Sequence, residues 1–457
     1  MNIIIAGVFL FAFSIILLSF INLKLSIAVY ISYLILVPFL EFRLAGLSLS
    51  YNLVNTLLFA VFLYHSLVRK SFKLNFQVII PFLFLYFSLL FLSMFTDGLP
   101  WSDQFNGWRA SFMQTCLISF IIWNLALSDQ KLLIYFKWAF LVSISIAGVY
   151  GVYLMKLEGL NPYINMLSNY FGKDDVSLRF SEMEGRLDFS TASKIQATMA
   201  HPMTWTLILC FSIIVLSGIY IRTKNQKLWF LFGLLGFNAL ISGVRTGIAA
   251  LAIGFIYFLI RNRNIKLIII TFFLMVGLTV VIQSNESLSN LFASFTDVSG
   301  QKSDVSGSSI TMRLNQLKGS INEIRGQELV GKGYGWTGYY LSENGTHPII
   351  LAFESLIFMV LCNSGFLGLM IWILFFILLF NVNRKILNLK TDVYLMDSFI
   401  IVYAAYSTGT GEYGYMPFFA VFYSFMLGYL STYKQSEVLK KEISQTKFNR
   451  NYIKFEI

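Results

Sequence analysis

The chain has 457 residues, of which 57% are hydrophobic and 12% charged, with a formal net charge of +11. A soluble globular protein carries about 25% charged residues, so a disordered tail protein, a nucleic-acid-binding arm and an ordinary soluble enzyme are excluded. The apolar residues gather in blocks of roughly 17–22, the length that crosses about 30 Å of hydrocarbon, and the chain reads as an all-α, polytopic integral membrane helix bundle.

In chain order the blocks predict helices near 2–20, 25–40, 52–68, 77–95, 110–128, 132–155, 200–221, 228–243, 247–260 and 267–283. Three more follow near 366–380, 395–410 and 416–431. That makes about 12–13 transmembrane helices in a single membrane domain spanning 1–457. The first twenty residues lack the basic start and small-residue cleavage site of a removed signal peptide, so the first block is expected to stay as a helix. Cys116, Cys210 and Cys362 lie in or beside apolar blocks without a CxxC partner and read as small buried hydrophobes.

Alternate breaks differ in charge. One set holds Lys24; Arg69, Lys70 and Lys73; Lys131; Arg222, Lys224 and Lys227; Arg261, Arg263 and Lys266; Arg384, Lys385 and Lys390; and a basic tail over 432–457. The short breaks of the opposite set hold only Arg43, Arg109 and Arg245. By the positive-inside rule the first set is cytoplasmic, as is the C-terminus. The basic excess is therefore topological and implies no nucleic-acid partner. Two long polar segments, 157–199 and 284–347, fall on the outer side.

The first outer loop carries Arg179 and Arg186. The second opens with a Ser/Asn/Gly-rich stretch to Ser309 and then turns helix-like, with Met312, Leu314, Leu317, Ile321 and Ile324 at amphipathic spacing. It ends in Gly331-Lys332-Gly333-Tyr334-Gly335, which lacks the setting and GK[ST] ending of a P-loop and reads as a tight turn.

Arg245 lies in the small-residue break Ser242-Gly243-Val244-Arg245-Thr246-Gly247 at the outer boundary. A guanidinium there can snorkel to headgroups. In a roomy pocket it can instead hold a phosphate or diphosphate bidentately. Arg313 opens the amphipathic segment on the same side, either as a solvated loop residue or as a second clamp on one anion. Glu354 stands in a run, 348–380, too long for one upright span. The run reads as a helix dipping in over 348–362, a break at Asn363-Ser364-Gly365, and a full span after it. A carboxylate so placed is either favoured by the helix dipole or functional. His347, seven residues earlier, is a second base or a loop histidine. Three scattered histidines offer no metal site.

In order, spacing and side, these motifs resemble the O-antigen polymerase and ligase superfamily, over roughly residues 240–380. Ser242 to Leu251 is similar to that family's S-R-x-G-x-x-A segment. Arg313-Leu314 through Gly335 is similar to its Arg-helix-glycine run in the large outer loop. Glu354-Ser355-Leu356 through Gly368 is similar to its last segment. Ligases of the family carry a histidine eleven residues before the first glycine of that segment; here the position is Glu354, which suits a polymerase.

The resemblance implies a bacterial cytoplasmic (inner) membrane enzyme that transfers a growing glycan from polyprenyl diphosphate to a sugar hydroxyl of the next repeat unit, building O-antigen, capsule or exopolysaccharide. Its implied partners are an undecaprenyl-diphosphate-linked oligosaccharide, membrane lipid and a chain-length regulator protein, with no cofactor. Arg245 and Arg313 would hold the diphosphate, and Glu354 would act as base with His347 as the alternate. Arg179, Arg186, Trp336 and Tyr339 would contact sugar. The alternatives are a ligase that joins finished polymer to a lipid core, and a non-catalytic transporter, for which the sequence shows no internal repeat.

Overall fold

The computed structural model describes residues 3–44, 47–69, 74–157, 161–168, 170, 195–263, 310–412 and 414–432. The predicted helix at 267–283, most of the first outer loop with Arg179 and Arg186, the stretch 284–309 and the tail from 433 lie outside them.

The chain is an all-α polytopic membrane protein. Its helices are α1 (Ile3–Ile21), α2 (Leu23–Leu36), α3 (Tyr51–Leu63), α4 (Ile80–Ser93), α5 (Trp101–Phe112), α6 (Ile118–Ser128), α7 (Gln130–Met155) and α8 (Pro162–Ser168). After the first outer loop come α9 (Pro202–Thr223), α10 (Leu228–Ile241), α11 (Arg245–Asn262), α12 (Ile310–Glu323), α13 (Trp336–Asn344), α14 (Leu356–Ile386), α15 (Lys390–Thr410) and α16 (Met416–Thr432). Among the described residues six helical stretches are long and apolar enough to cross a membrane; α2, α4, α10 and α16 are shorter and apolar. One small hairpin, β1 (Phe42–Leu44) with β2 (Leu47–Leu49), interrupts the helical pattern.

Local chemistry sets the ends. Asn22, Ser50, Asp129 and Ser355 cap α2, α3, α7 and α14 by accepting from first-turn N–H groups. His201 does the same for α9 through its ring, with Pro202 at the first helical position. A π-turn, Met113–Leu117, joins α5 to α6, so the predicted span at 110–128 starts nine residues early, at Trp101. Asp103, Asn106 and Arg109 dilute the hydropathy of α5. Trp101, Phe105, Trp108 and Phe112 nevertheless form one aromatic face, with ring centroids 5.2–6.2 Å apart.

Several of the basic turns meet one another. Lys24 pairs with Asp129 across the α1–α2 and α6–α7 turns. Arg222 pairs with Asp392 between the end of α9 and the start of α15. Arg261 lies over the Tyr394 ring. Helices α9 and α16 are apolar and buried nearly all round, as central helices should be. Glycines allow the close approaches: a Cβ on Gly218 of α9 would fall 1.6 Å from the Met426 methyl of α16, and one on Gly254 of α11 would fall 2.3 Å from Val402 of α15.

The run 348–380 is split as its length requires. Helix α14 contains one non-helical residue, Gly365, at φ 61° and ψ −160°. Its short first limb begins at Leu356, where the sequence predicts 348. The segment before it is a tight turn, with a bridge between His347 and Leu351 and left-handed φ at Leu351 and Phe353.

Candidate functional site

The break before α11 is built for close packing. Gly243 takes φ 66° to turn the chain. Thr206 of α9 donates to the Ser242 hydroxyl at 2.9 Å. A Cβ on Gly247 would lie 2.1 Å from the Thr206 methyl, and one on Gly409 of α15 would lie 2.2 Å from the Thr246 methyl. The small residues expected to leave room around Arg245 are thus spent on helix contacts. Arg245 itself stands half-buried at the first position of α11. No acidic residue occupies that first turn, so the cation adds to the positive helix end, and the two together favour an anion.

Arg313 approaches this turn from another element, through Gly409. Its Nη1 donates to the Glu354 carbonyl at 2.5 Å and to Gln316 Oε1 at 3.4 Å, and its Nη2 donates to the Gly409 carbonyl at 3.2 Å. The Glu354 carboxylate lies 3.5 Å from Nη2. Both side chains are about one-third exposed, at 28% and 37%. Arg313 therefore clasps the entry to α14 and the exit of α15. Gly409, whose carbonyl it holds, rests on Thr246, the neighbour of Arg245. Gly409 thus bridges the Arg313–Glu354 pair to the turn that carries Arg245.

Helix α12 presents an unexpected face inward. Gln316, Gly319 and Ser320 are buried, whereas Leu314 and Ile321 are exposed. A Cβ on Gly319 would meet Ile349 at 2.7 Å. The apolar positions divide: Leu317 packs on the Trp336 and Phe353 cluster and Ile324 is buried, while Leu314 and Ile321 face outward.

The glycine-rich run has a structural task. At Gly365 the α14 ladder breaks, leaving backbone groups that must find partners. Lys332 and Gly333 N–H donate to the Cys362 and Asn363 carbonyls, each at 2.9 Å. Phe366 and Leu367 N–H donate to the Glu328 and Leu329 carbonyls at 2.9 and 3.0 Å. Residues 328–333 thus complete the interrupted helix. The approach excludes side chains: a Cβ on Gly331 would lie 2.6 Å from the Gly365 nitrogen, and one on Gly365 would lie 2.5 Å from the Glu328 carbonyl. Gln104 Oε1 then accepts from Tyr334 N–H at 3.0 Å, and Asn363 Oδ1 from Thr337 N–H at 2.8 Å. Lys332 pairs with Glu323 and lies 4.6 Å from the Trp336 ring centre. Burial pushes the Glu323 carboxyl up, but the Lys332 hydrogen bond and charge, with His347 adding to them, hold it below its ordinary value.

His347 is committed to this framework. Its Nδ1 accepts from the Ile349 and Ile350 N–H groups at 3.1 and 3.0 Å, which leaves the proton on Nε2, 3.3 Å from Glu323 Oε2. No ring lone pair remains for a substrate hydroxyl, so the geometry argues against the alternate-base role. Trp336 is 7% exposed and packs against Tyr340 and Phe353, so it does not offer a face to sugar. Tyr339 is 46% exposed.

Sequence reasoning missed Glu412, in the turn between α15 and α16. Its Oε1 accepts from Tyr415 and Met416 N–H at 2.7 and 2.6 Å, capping α16. Burial pushes its carboxyl up, against the pull of those N–H groups. A carboxylate among glycines between two apolar blocks was the available signal. Among the described residues no group of three His, Cys, Asp or Glu side chains is placed to hold a metal ion.

A family model described as O-antigen ligase matches residues 230–373. That segment, which includes Arg245, Arg313 and Glu354, belongs to the O-antigen ligase and polymerase superfamily. The match supports glycan processing of that general kind by a multi-pass membrane protein. No curated protein matches the chain.

Proposed function

We propose that the protein polymerises lipid-linked oligosaccharide repeat units. The acceptor sugar hydroxyl attacks the anomeric carbon of the growing chain, and the bond from that carbon to the diphosphate oxygen breaks. The electron pair leaves on the polyprenyl diphosphate, and the hydroxyl proton passes to a carboxylate. Arg245 and Arg313 stabilise the charge that builds on the diphosphate, the electrostatic role that dominates many transfers. Glu354 accepts the proton.

The observation that carries this reading is the Arg313–Glu354 pair at 3.5 Å, joined through Gly409 to the Arg245 turn. The pairing also suggests an order of events. The Glu354 carboxylate lies against Nη2 of the guanidinium, where a phosphate oxygen would bind. Arrival of the diphosphate displaces it, and the released carboxylate becomes available as the base. Donor binding would thus switch on the proton acceptor.

The description of the matching family favours a second reading, a ligase using the same clamp. Deletion of the gene separates the two. A polymerase defect leaves surface lipid capped with a single repeat, whereas a ligase defect leaves long polymer on the polyprenyl carrier. Unchanged surface glycan and unchanged carrier-linked glycan would defeat both.

A further inference from the structure

A cavity of about 240 Å³ lies between α4, the Met113–Leu117 π-turn, the first limb of α14 and the α15–α16 turn. Gln114, Thr115, Tyr334, Asn363, Ser364 and Glu412 line it, and Trp372 supplies an aromatic wall. No Lys or Arg is among its lining residues. Its chemistry is therefore the opposite of the Arg245 and Arg313 end: apolar walls from Leu85, Leu89, Leu356, Met359, Val360 and Met416 carry a few neutral hydroxyls and amides, one carboxylate and an indole. Such a lining repels a diphosphate. It matches an uncharged ring that offers hydroxyls to polar groups and C–H bonds to an aromatic face.

The cavity is also adjacent to the clasp. Glu412 N–H points at Met359 Sδ, 3.1 Å away, and Met359 is in the α14 limb that Glu354 leads into. Gly409, which holds Arg313, is three residues before Glu412. We propose that this cavity is a saccharide subsite, which seats a neutral sugar ring of the lipid-linked glycan beside the reacting bond, with Glu412 as a positioning residue for the ring hydroxyls. The inference rests on the glycan-transfer reading above.

Two variants separate this role from a merely structural one. Glu412→Gln retains an oxygen for both cap bonds to α16, removes the charge and turns the other oxygen into an NH2 donor. Gly338 also lines the cavity, in α13, and a Cβ there meets nothing within 4 Å. Gly338 is exposed, so Gly338→Leu sets an apolar side chain at the cavity's rim without a clash at its first carbon. The assay uses the full-length protein in lipid nanodiscs with the lipid-linked repeat unit extracted from the deletion strain. Each variant should raise KM for the repeat unit about tenfold while kcat stays within about threefold, as expected when one or two sugar hydrogen bonds are lost. Inhibition by inorganic pyrophosphate should not move. Varying carrier-linked donor and free-oligosaccharide acceptor separately then shows which ring the cavity seats. KM within twofold of wild type in both variants would overturn the subsite.

A second measurement needs no turnover. Saturation-transfer NMR with methyl glycosides should show binding to wild type and none to Gly338→Leu. Binding that is equal in both, or absent from wild type, overturns the subsite. Gly338-dependent binding by a protein that elongates nothing would instead leave the subsite standing and remove the polymerase reading.

Discussion

Gly365→Ala is the sharpest perturbation of the loop that carries Arg313. Gly365 sits at φ 61° and ψ −160°, a region open almost only to glycine, where a side chain costs about 1–3 kcal/mol. The new Cβ would also lie 2.5 Å from the Glu328 carbonyl, and relieving such overlap costs about another 1–3 kcal/mol. Opposing this are the four backbone bonds between 328–333 and 362–367, worth about 0.5–1.5 kcal/mol each. The strain thus equals the whole worth of the contact, and the loop should undock while the helices stay inserted. Hydrogen exchange by mass spectrometry reads the four donors directly, at Lys332, Gly333, Phe366 and Leu367. A loss of about 3 kcal/mol speeds exchange about 100-fold at tenfold per 1.4 kcal/mol. Gly338→Ala, whose Cβ is unobstructed, is the control and should exchange like wild type. Wild-type protection in Gly365→Ala would refute the interlock.

Arg313→Ala should lower the elongation rate about 10²–10³-fold, the usual cost of one charge-stabilising donor, and Arg313→Lys should recover only part because a point charge cannot replace the planar fork; both are read from single-turnover kinetics. Glu354→Gln should be as severe as Arg313→Ala. His347→Ala should act on stability instead, costing about 1–3 kcal/mol for the two N–H groups it leaves without an acceptor, seen as a lower thermal midpoint with kcat nearly kept. Because the Glu323 carboxyl is held below its ordinary value, its contribution is present above that ordinary value and lost as pH falls through the folded one; exchange across 328–336 should quicken on acidification, and Glu323→Gln should flatten that dependence. The Glu412 carboxyl is raised, so the sign reverses: stability falls as pH rises through it, and the thermal advantage of Glu412→Gln over wild type should shrink between pH 7 and pH 4.

Features governed by local periodicity were legible in the sequence. The apolar blocks marked the spans because 1.5 Å per residue fixes how many residues cross hydrocarbon. The length of 348–380 demanded a break, and Asn363-Ser364-Gly365 was where it fell. Arg245, Arg313 and Glu354 stood out as charges at membrane boundaries. What stayed hidden depends on which segments meet. That 328–333 completes a helix broken thirty residues later requires knowing that two backbones touch, and the glycines marked closeness without naming a partner. The same ambiguity made Thr246 and Gly247 look like space when they are contacts. Trp336 reads equally as a sugar platform or a core residue until its burial is known. Glu412 was overlooked because a cap on a following helix and a pocket carboxylate leave the same mark on a sequence.

In the proposed mechanism two guanidinium groups share one diphosphate. Isothermal titration of the full-length protein in nanodiscs with farnesyl diphosphate and farnesyl monophosphate measures it without requiring the native glycan. The diphosphate should bind more tightly than the monophosphate, with that preference lost in Arg245→Ala and in Arg313→Ala alike. Equal affinity of wild type for the two lipids, or a preference that survives both substitutions, would contradict it.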